Sequence, residues 1–104
     1  MNADAKMPAV AERLADAVIA LRQRPLPAAL RARAEELLID VSGLCIAARR
    51  NDYMQALIAS VDAGGGCTAL GHAATFRAED AAMINGTAAH GEDFDDTFEG
   101  GPVH

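Results

Sequence analysis

The sequence has 104 residues, 51% of them hydrophobic and 23% charged, which is room for one small globular domain and excludes a multidomain enzyme unless the chain is a piece of one. Its net charge is −6 and its eight arginines are scattered, only Arg49 and Arg50 being adjacent, so neither a nucleic-acid binder nor a protein of anionic membranes is expected. The apolar content is mostly alanine, with 4% aromatics and no Trp, and alanine buries little area at roughly 25 cal/mol per Å², so the core should be thin or completed by a partner surface.

Cys45 and Cys67 are too few for a disulfide framework and too far apart for a metal knuckle, and are read as reduced and structural. No apolar run follows a basic segment near Met1–Met7, and none approaches the roughly 18 residues of a membrane span. The cytoplasm is therefore the expected compartment.

In chain order, Val10, Leu14, Ala17, Val18 and Leu21 recur at helical spacing and predict a first helix over about 9–22. Arg24-Pro25-Leu26-Pro27 breaks it, and Pro27 suits the first position of a second helix over 27–48, whose apolar stripe runs from Leu30 through Leu37, Leu38, Val41 and Leu44 to Ala48. Gly43 inside that stripe predicts a close helix crossing or, nearly as well, a local kink. Asn51 is a suitable cap for a third helix over 52–63 carrying Met54, Leu57, Ile58 and Val61, which Gly64-Gly65-Gly66 should stop. Cys67–Gly71 reads as an extended or irregular linker too short to support a sheet. A fourth helix over 78–91 carries Ala81, Ala82, Ile84, Ala88 and Ala89, interrupted by Asn85-Gly86, and its small residues suit burial within a larger bundle. The fold class is all-α.

Charge concentrates in the tail, residues 92–104. It holds Glu92, Asp93, Asp95, Asp96 and Glu99 and no base, leaving ten acids against nine bases in residues 1–91. Clustered carboxylates repel one another at neutral pH unless a metal, a substrate or a helix start uses them. The plainest reading is a solvated loop in which Asp95 or Asp96 caps a following helix. Asp93-Phe94-Asp95-Asp96-Thr97 also matches the D-x-D-x-T pattern of aspartyl-phosphate phosphatases, but the buried strand that must precede it is missing from the helical pattern of Gly86–Glu92. A calcium loop starting at Asp93 would need glycine where Phe98 stands.

The run Asn85-Gly86, His90, Asp93-Phe94-Asp95-Asp96-Thr97 and His104, with the earlier Leu38-Ile39-Asp40-Val41-Ser42-Gly43, resembles the N-terminal part of the MmgE/PrpD family. That family includes 2-methylcitrate dehydratase, cis-aconitate decarboxylase and iminodisuccinate epimerase. The resemblance covers nearly the whole chain from about Ala9. It implies the N-terminal part of a large helical domain, with a smaller lid domain lying outside these residues. It further implies that Asp93 and Thr97 line the active-site pocket, where both bind substrate, and that His104 and Asp93 serve catalysis.

Imidazole suits such chemistry, because breaking a C–H bond beside a carboxylate needs a base near neutral pKa. If the stretch is helical, Asp93 and Thr97, four apart, share one face. His90 and His72 read better as satisfied buried histidines. Methylcitrate dehydratases carry DFNDT where this chain has Asp95-Asp96.

The expectation is thus a fragment or split subunit of a cofactor-free lyase or isomerase of small di- or tricarboxylic acids, with neither metal nor other cofactor. Lys6 is its only lysine. Without further cations the acidic tail would repel a polycarboxylate, so the chain alone should be inactive. Its partners would be the small carboxylic acid, the remaining polypeptide or a companion subunit, and further copies in a homo-oligomer. The rival expectation is a non-catalytic helical interaction module with an acidic docking tail.

Overall fold

The computed structural model describes residues 7–104; Lys6 lies outside the described residues. Its elements are α1 (Val10–Leu21), α2 (Ala28–Ala48), α3 (Asp52–Ala59), the strands β1 (Cys67–Thr68) and β2 (Thr75–Phe76), and α4 (Ala78–His90). The chain divides into two units, one ending at Arg33 and one running from Ala34 to His104.

In the first unit, α1 begins at Val10. The Ala9 backbone N–H donates to Glu12 Oε2 at 2.8 Å, so the acid of the first turn satisfies one of the helix's free donors. None of the α1 residues is buried within the described chain. α2 follows the proline break one residue later than the sequence suggests. Pro27 stands just before it and accepts from the Arg31 N–H at 3.0 Å, a place where proline's missing donor costs nothing.

The second unit holds the core. Cys45 and Ala48 from the end of α2, Met54 from α3, Ala69, Phe76 and the Ala81, Ile84 and Ala88 face of α4 are buried together. Among the described residues only Phe76, Met54, Ile84 and Cys45 are large and fully enclosed, so the core is as thin as the alanine-rich composition suggests. Both cysteines are free, Cys45 buried and Cys67 partly so, and burial pushes the Cys45 thiol pKa up. Part of the α2 stripe stays outside this core, with Leu30 54% and Leu38 68% exposed, as is the neighbouring Ile39 at 75%.

Four sequence expectations are corrected. A small antiparallel ladder exists, with Cys67 opposite Phe76 and Thr68 opposite Thr75. It survives at this length because its flanks add bonds: the Gly64 N–H donates to the Thr75 carbonyl and the Thr75 hydroxyl to the Gly65 carbonyl, both at 2.8 Å. Second, α3 ends at Ala59, where the Ser60 N–H turns back onto the Leu57 carbonyl, ahead of the glycines; Gly64 and Gly65, at φ 127° and 110°, then turn the chain onto β2. At Gly65 a Cβ would lie 2.5 Å from the Phe76 carbonyl oxygen, so only glycine fits.

Third, a Cβ placed on Gly43 would meet nothing within 4 Å, so no described element crosses there, and α2 runs through it unbroken. Fourth, α4 also runs unbroken through Asn85-Gly86. Asn51 does precede α3, but its side chain makes no cap bond to the helix; it is used at the site described next.

Candidate functional site

The site is assembled where α4 ends. The Gly91 backbone packs against the Tyr53 ring so closely that a Cβ there would lie 2.5 Å from the phenol oxygen. Asn51 Nδ2 and the Tyr53 hydroxyl both donate to Glu92 Oε1, at 2.8 and 3.1 Å. The start of α3 thus grips the end of α4. Asn85 acts two turns earlier on α4: its side chain accepts from the Leu70 N–H at 2.8 Å and donates to the Thr68 carbonyl at 2.9 Å. The Asn-Gly of the family-like run therefore has a structural use, binding the ladder segment to the helix.

Past Glu92 the chain is not helical, which corrects the expectation that Asp93 and Thr97 share a helix face. Asp93 takes φ 56°, and its N–H donates to the His90 carbonyl at 2.8 Å. Aspartate is among the few non-glycine residues that enter this left-handed region readily. The turn folds the chain back so that Asp95 returns to the helix end, where its Oδ1 lies 2.8 Å from His90 Nδ1.

A second turn brings His104 to the same place. The Phe98 N–H donates to the Val103 carbonyl at 2.8 Å, the Thr97 hydroxyl reaches that same carbonyl at 3.3 Å, and the Gly101 N–H closes onto the Phe98 carbonyl at 3.1 Å. His104 Nδ1 then lies 3.1 Å from Asp95 Oδ2, and its Nε2 lies 3.8 Å from Asp93 Oδ1. The His90 and His104 rings face each other at 4.3 Å between centroids, tilted by 55°.

Asp95 is the hub of this cluster, its side chain only 10% exposed against 28% for His104, 53% for His90 and 78% for Asp93. Among the described residues no helix follows it for it to cap. The hydrogen bond from His90 and the nearby charges of His104 and His90 hold its carboxyl below the usual carboxylate range, against the opposing effect of burial. The reciprocal bond to Asp95 holds His90 above the ordinary imidazole range, with Asp93 adding to the effect.

Beside the cluster an open cleft of about 620 Å³ is floored by Leu37 and Val41 of α2 and walled by Asp95, Thr97, Phe98 and His104. Of the residues the sequence singled out, His104 and Thr97 line this cleft, while Asp93 stands next to both histidines at the exposed edge. His90, read from sequence as a satisfied buried histidine, is instead an exposed member of the cluster. His72 also departs from that reading, its buried Nε2 having no hydrogen-bond partner among the described residues. Asp95, to which the sequence assigns no catalytic or binding role, joins the two imidazoles.

Residues 12–104 match the family model for the MmgE/PrpD N-terminal domain, in agreement with the resemblance carried by Asp93–Thr97 and His104. No curated protein and no solved structure gives a match.

Proposed function

This chain belongs to the MmgE/PrpD family, and on that premise we propose that it is the helical, site-bearing part of a lyase or isomerase that moves a proton at a carbon beside a carboxylate of a small di- or tricarboxylic acid. The observation that carries the reading is the Asp95–His104 pair at the mouth of the cleft, 3.1 Å between Oδ2 and Nδ1. A carboxylate on one imidazole nitrogen fixes the tautomer: Nδ1–H donates to Asp95, and the lone pair is left on Nε2. Asp93 Oδ1, 3.8 Å from Nε2, is too far for a hydrogen bond, so Nε2 is free to accept a proton.

In this mechanism Nε2 takes the proton from the substrate carbon and the electron pair moves toward the adjacent carboxylate. Loss of hydroxide then gives dehydration. Return of a proton to the opposite face gives epimerisation. In the decarboxylating variant His104 starts protonated at Nε2, the C–C bond breaks with loss of CO2, and that proton passes to the carbon left behind. Asp95 acts through His104 and is a positioning residue, whereas Thr97 on the cleft wall can donate to a substrate carboxylate. No step calls on a cofactor.

The cleft wall includes Asp95, Asp96 and Glu99, so an anionic substrate needs cations from elsewhere to enter it. The reading therefore includes a companion segment or subunit that supplies them, and a homo-oligomeric assembly. The exposure of Leu38 and Ile39 on α2 supports association with further polypeptide, since apolar surface of this kind gains from being covered. The test is turnover of methylcitrate, cis-aconitate and iminodisuccinate, first by the isolated chain and then by the chain assembled with the rest of its enzyme. The isolated chain should be silent, and in the assembly His104→Ala should lower kcat by about 10²–10⁴-fold. Full kcat in that variant would refute the role of His104.

A further inference from the structure

We propose that His90, Asp93, Asp95 and His104 form a binding site for one divalent transition-metal ion of the Zn²⁺ type. Each residue offers one ligand atom, and these atoms all lie within 4.8 Å of one another. A tetrahedral Zn²⁺ with bonds of about 2.0–2.1 Å holds its ligands roughly 3.3 Å apart. From His90 Nδ1, Asp95 Oδ1 lies 2.8 Å and Asp93 Oδ1 3.9 Å away, and His104 Nε2 lies 3.8 Å from that same Asp93 oxygen, values on both sides of that spacing. Small side-chain rotations therefore suffice, with no change of backbone path.

The donor set selects the ion. Two imidazole nitrogens with two carboxylate oxygens suit Zn²⁺, Co²⁺ or Ni²⁺, whereas Mg²⁺ and Ca²⁺ take all-oxygen shells. The two carboxylates offset the charge of a divalent cation. Access is open, since His90 is 53% and Asp93 78% exposed, while the more enclosed Asp95 and His104 give the site an inner wall. Two independent pieces of backbone hold the ligands: the end of α4 with its left-handed turn at Asp93, and the turn closed by the Phe98–Val103 bond. The ligands are thus largely in place before an ion arrives.

Binding of the ion does not depend on the functional reading above. Where His104 serves as the base, the ion and the proton compete for its lone pair, so occupancy and turnover exclude each other.

The experiment uses the chain stripped with chelator and then titrated with Zn²⁺ by calorimetry and with Co²⁺ by visible absorption. One ion per chain with a Kd on the order of micromolar is expected, with no comparable heat from Mg²⁺ or Ca²⁺. His90→Ala and His104→Ala should each weaken binding at least about tenfold, with helix content by circular dichroism confirming that the variants fold. A second readout on the unaltered chain keeps the test decisive: bound Co²⁺ should shift the ring protons of His90 and His104 strongly and those of His72 little. Affinity no better than millimolar, affinity unchanged in both histidine variants, or paramagnetic shifts centred on His72 would overturn the proposal. Since no substrate is used, such a failure is separate from a failure of the kinetic test on His104.

Discussion

His90 and His104 lie on the two different oxygens of one Asp95 carboxylate, at 2.8 and 3.1 Å, although one closes a helix and the other follows a loop. Asp95 therefore does for the tail what a cross-link would do, and removing its charge should be felt at both rings. In the assembled enzyme, Asp95→Asn should lower kcat by less than His104→Ala does, by about 10–10³-fold against about 10²–10⁴-fold, with KM little changed. A variant with ordinary kcat would show that His104 needs no carboxylate to orient it.

The pH dependence of the cluster follows from the two displaced groups. His90 is raised above its ordinary value of 6.5, so its contribution is complete below that value and is lost as pH rises through the raised pKa. Asp95 is lowered from 3.8, so its contribution is complete above 3.8 and is lost as pH falls through the lowered pKa. The docked tail should be most secure between these two ordinary values, with Asp93 and His104 the other titratable groups facing the pair. In chelator-treated protein, the ring-proton shift of His90 followed by NMR should titrate above pH 6.5 and return toward it in Asp95→Asn. Identical midpoints in the two proteins would contradict the contact.

Asn85 is expected to matter for stability more than for chemistry. Asn85→Ala removes both side-chain bonds to the Thr68–Leu70 segment and leaves the partly buried Leu70 N–H without its partner. The cost should be about 1–3 kcal/mol, read from the urea midpoint. An unchanged midpoint would mean that water replaces the side chain fully.

The glycines divide into opposite cases. Gly43→Ala, in a helix with open space around the new methyl, should stabilise the isolated chain by about 0.5–1 kcal/mol. Gly65→Ala should destabilise it by at least about 1–3 kcal/mol, since φ 110° and the Phe76 carbonyl both oppose a side chain. Thermal unfolding of the two variants would give shifts of opposite sign.

The parts legible from sequence are those with a repeating signal. The apolar spacing from Val10 to Leu21 and the proline pair at 25 and 27 mark α1 and the start of α2 because each rests on several residues acting together. A two-residue strand has no period to read, so Cys67–Thr68 and Thr75–Phe76 become visible only through the Gly64 and Thr75 bonds that tie them. His90 departs from its sequence reading for a related reason: on an alanine-rich helix a lone histidine looks internal, and residue type alone does not announce the left-handed turn at Asp93 that closes onto the His90 carbonyl. Asp95 was legible as an acid in a family-like run, but its partners depend on two loop turns closing on the same point. Gly43 shows the converse, a residue whose expected neighbour is not among the described elements.

The turn from Thr97 to Val103 works as a length gauge. Phe98 and Val103 are themselves largely exposed, so the position of His104 is set by backbone bonds counted along the loop and not by an apolar anchor. Inserting or deleting one residue between Gly100 and Val103 would therefore leave the helices standing while moving the imidazole off Asp95, and the number of residues in this loop becomes as much a part of the site as the identity of any side chain in it.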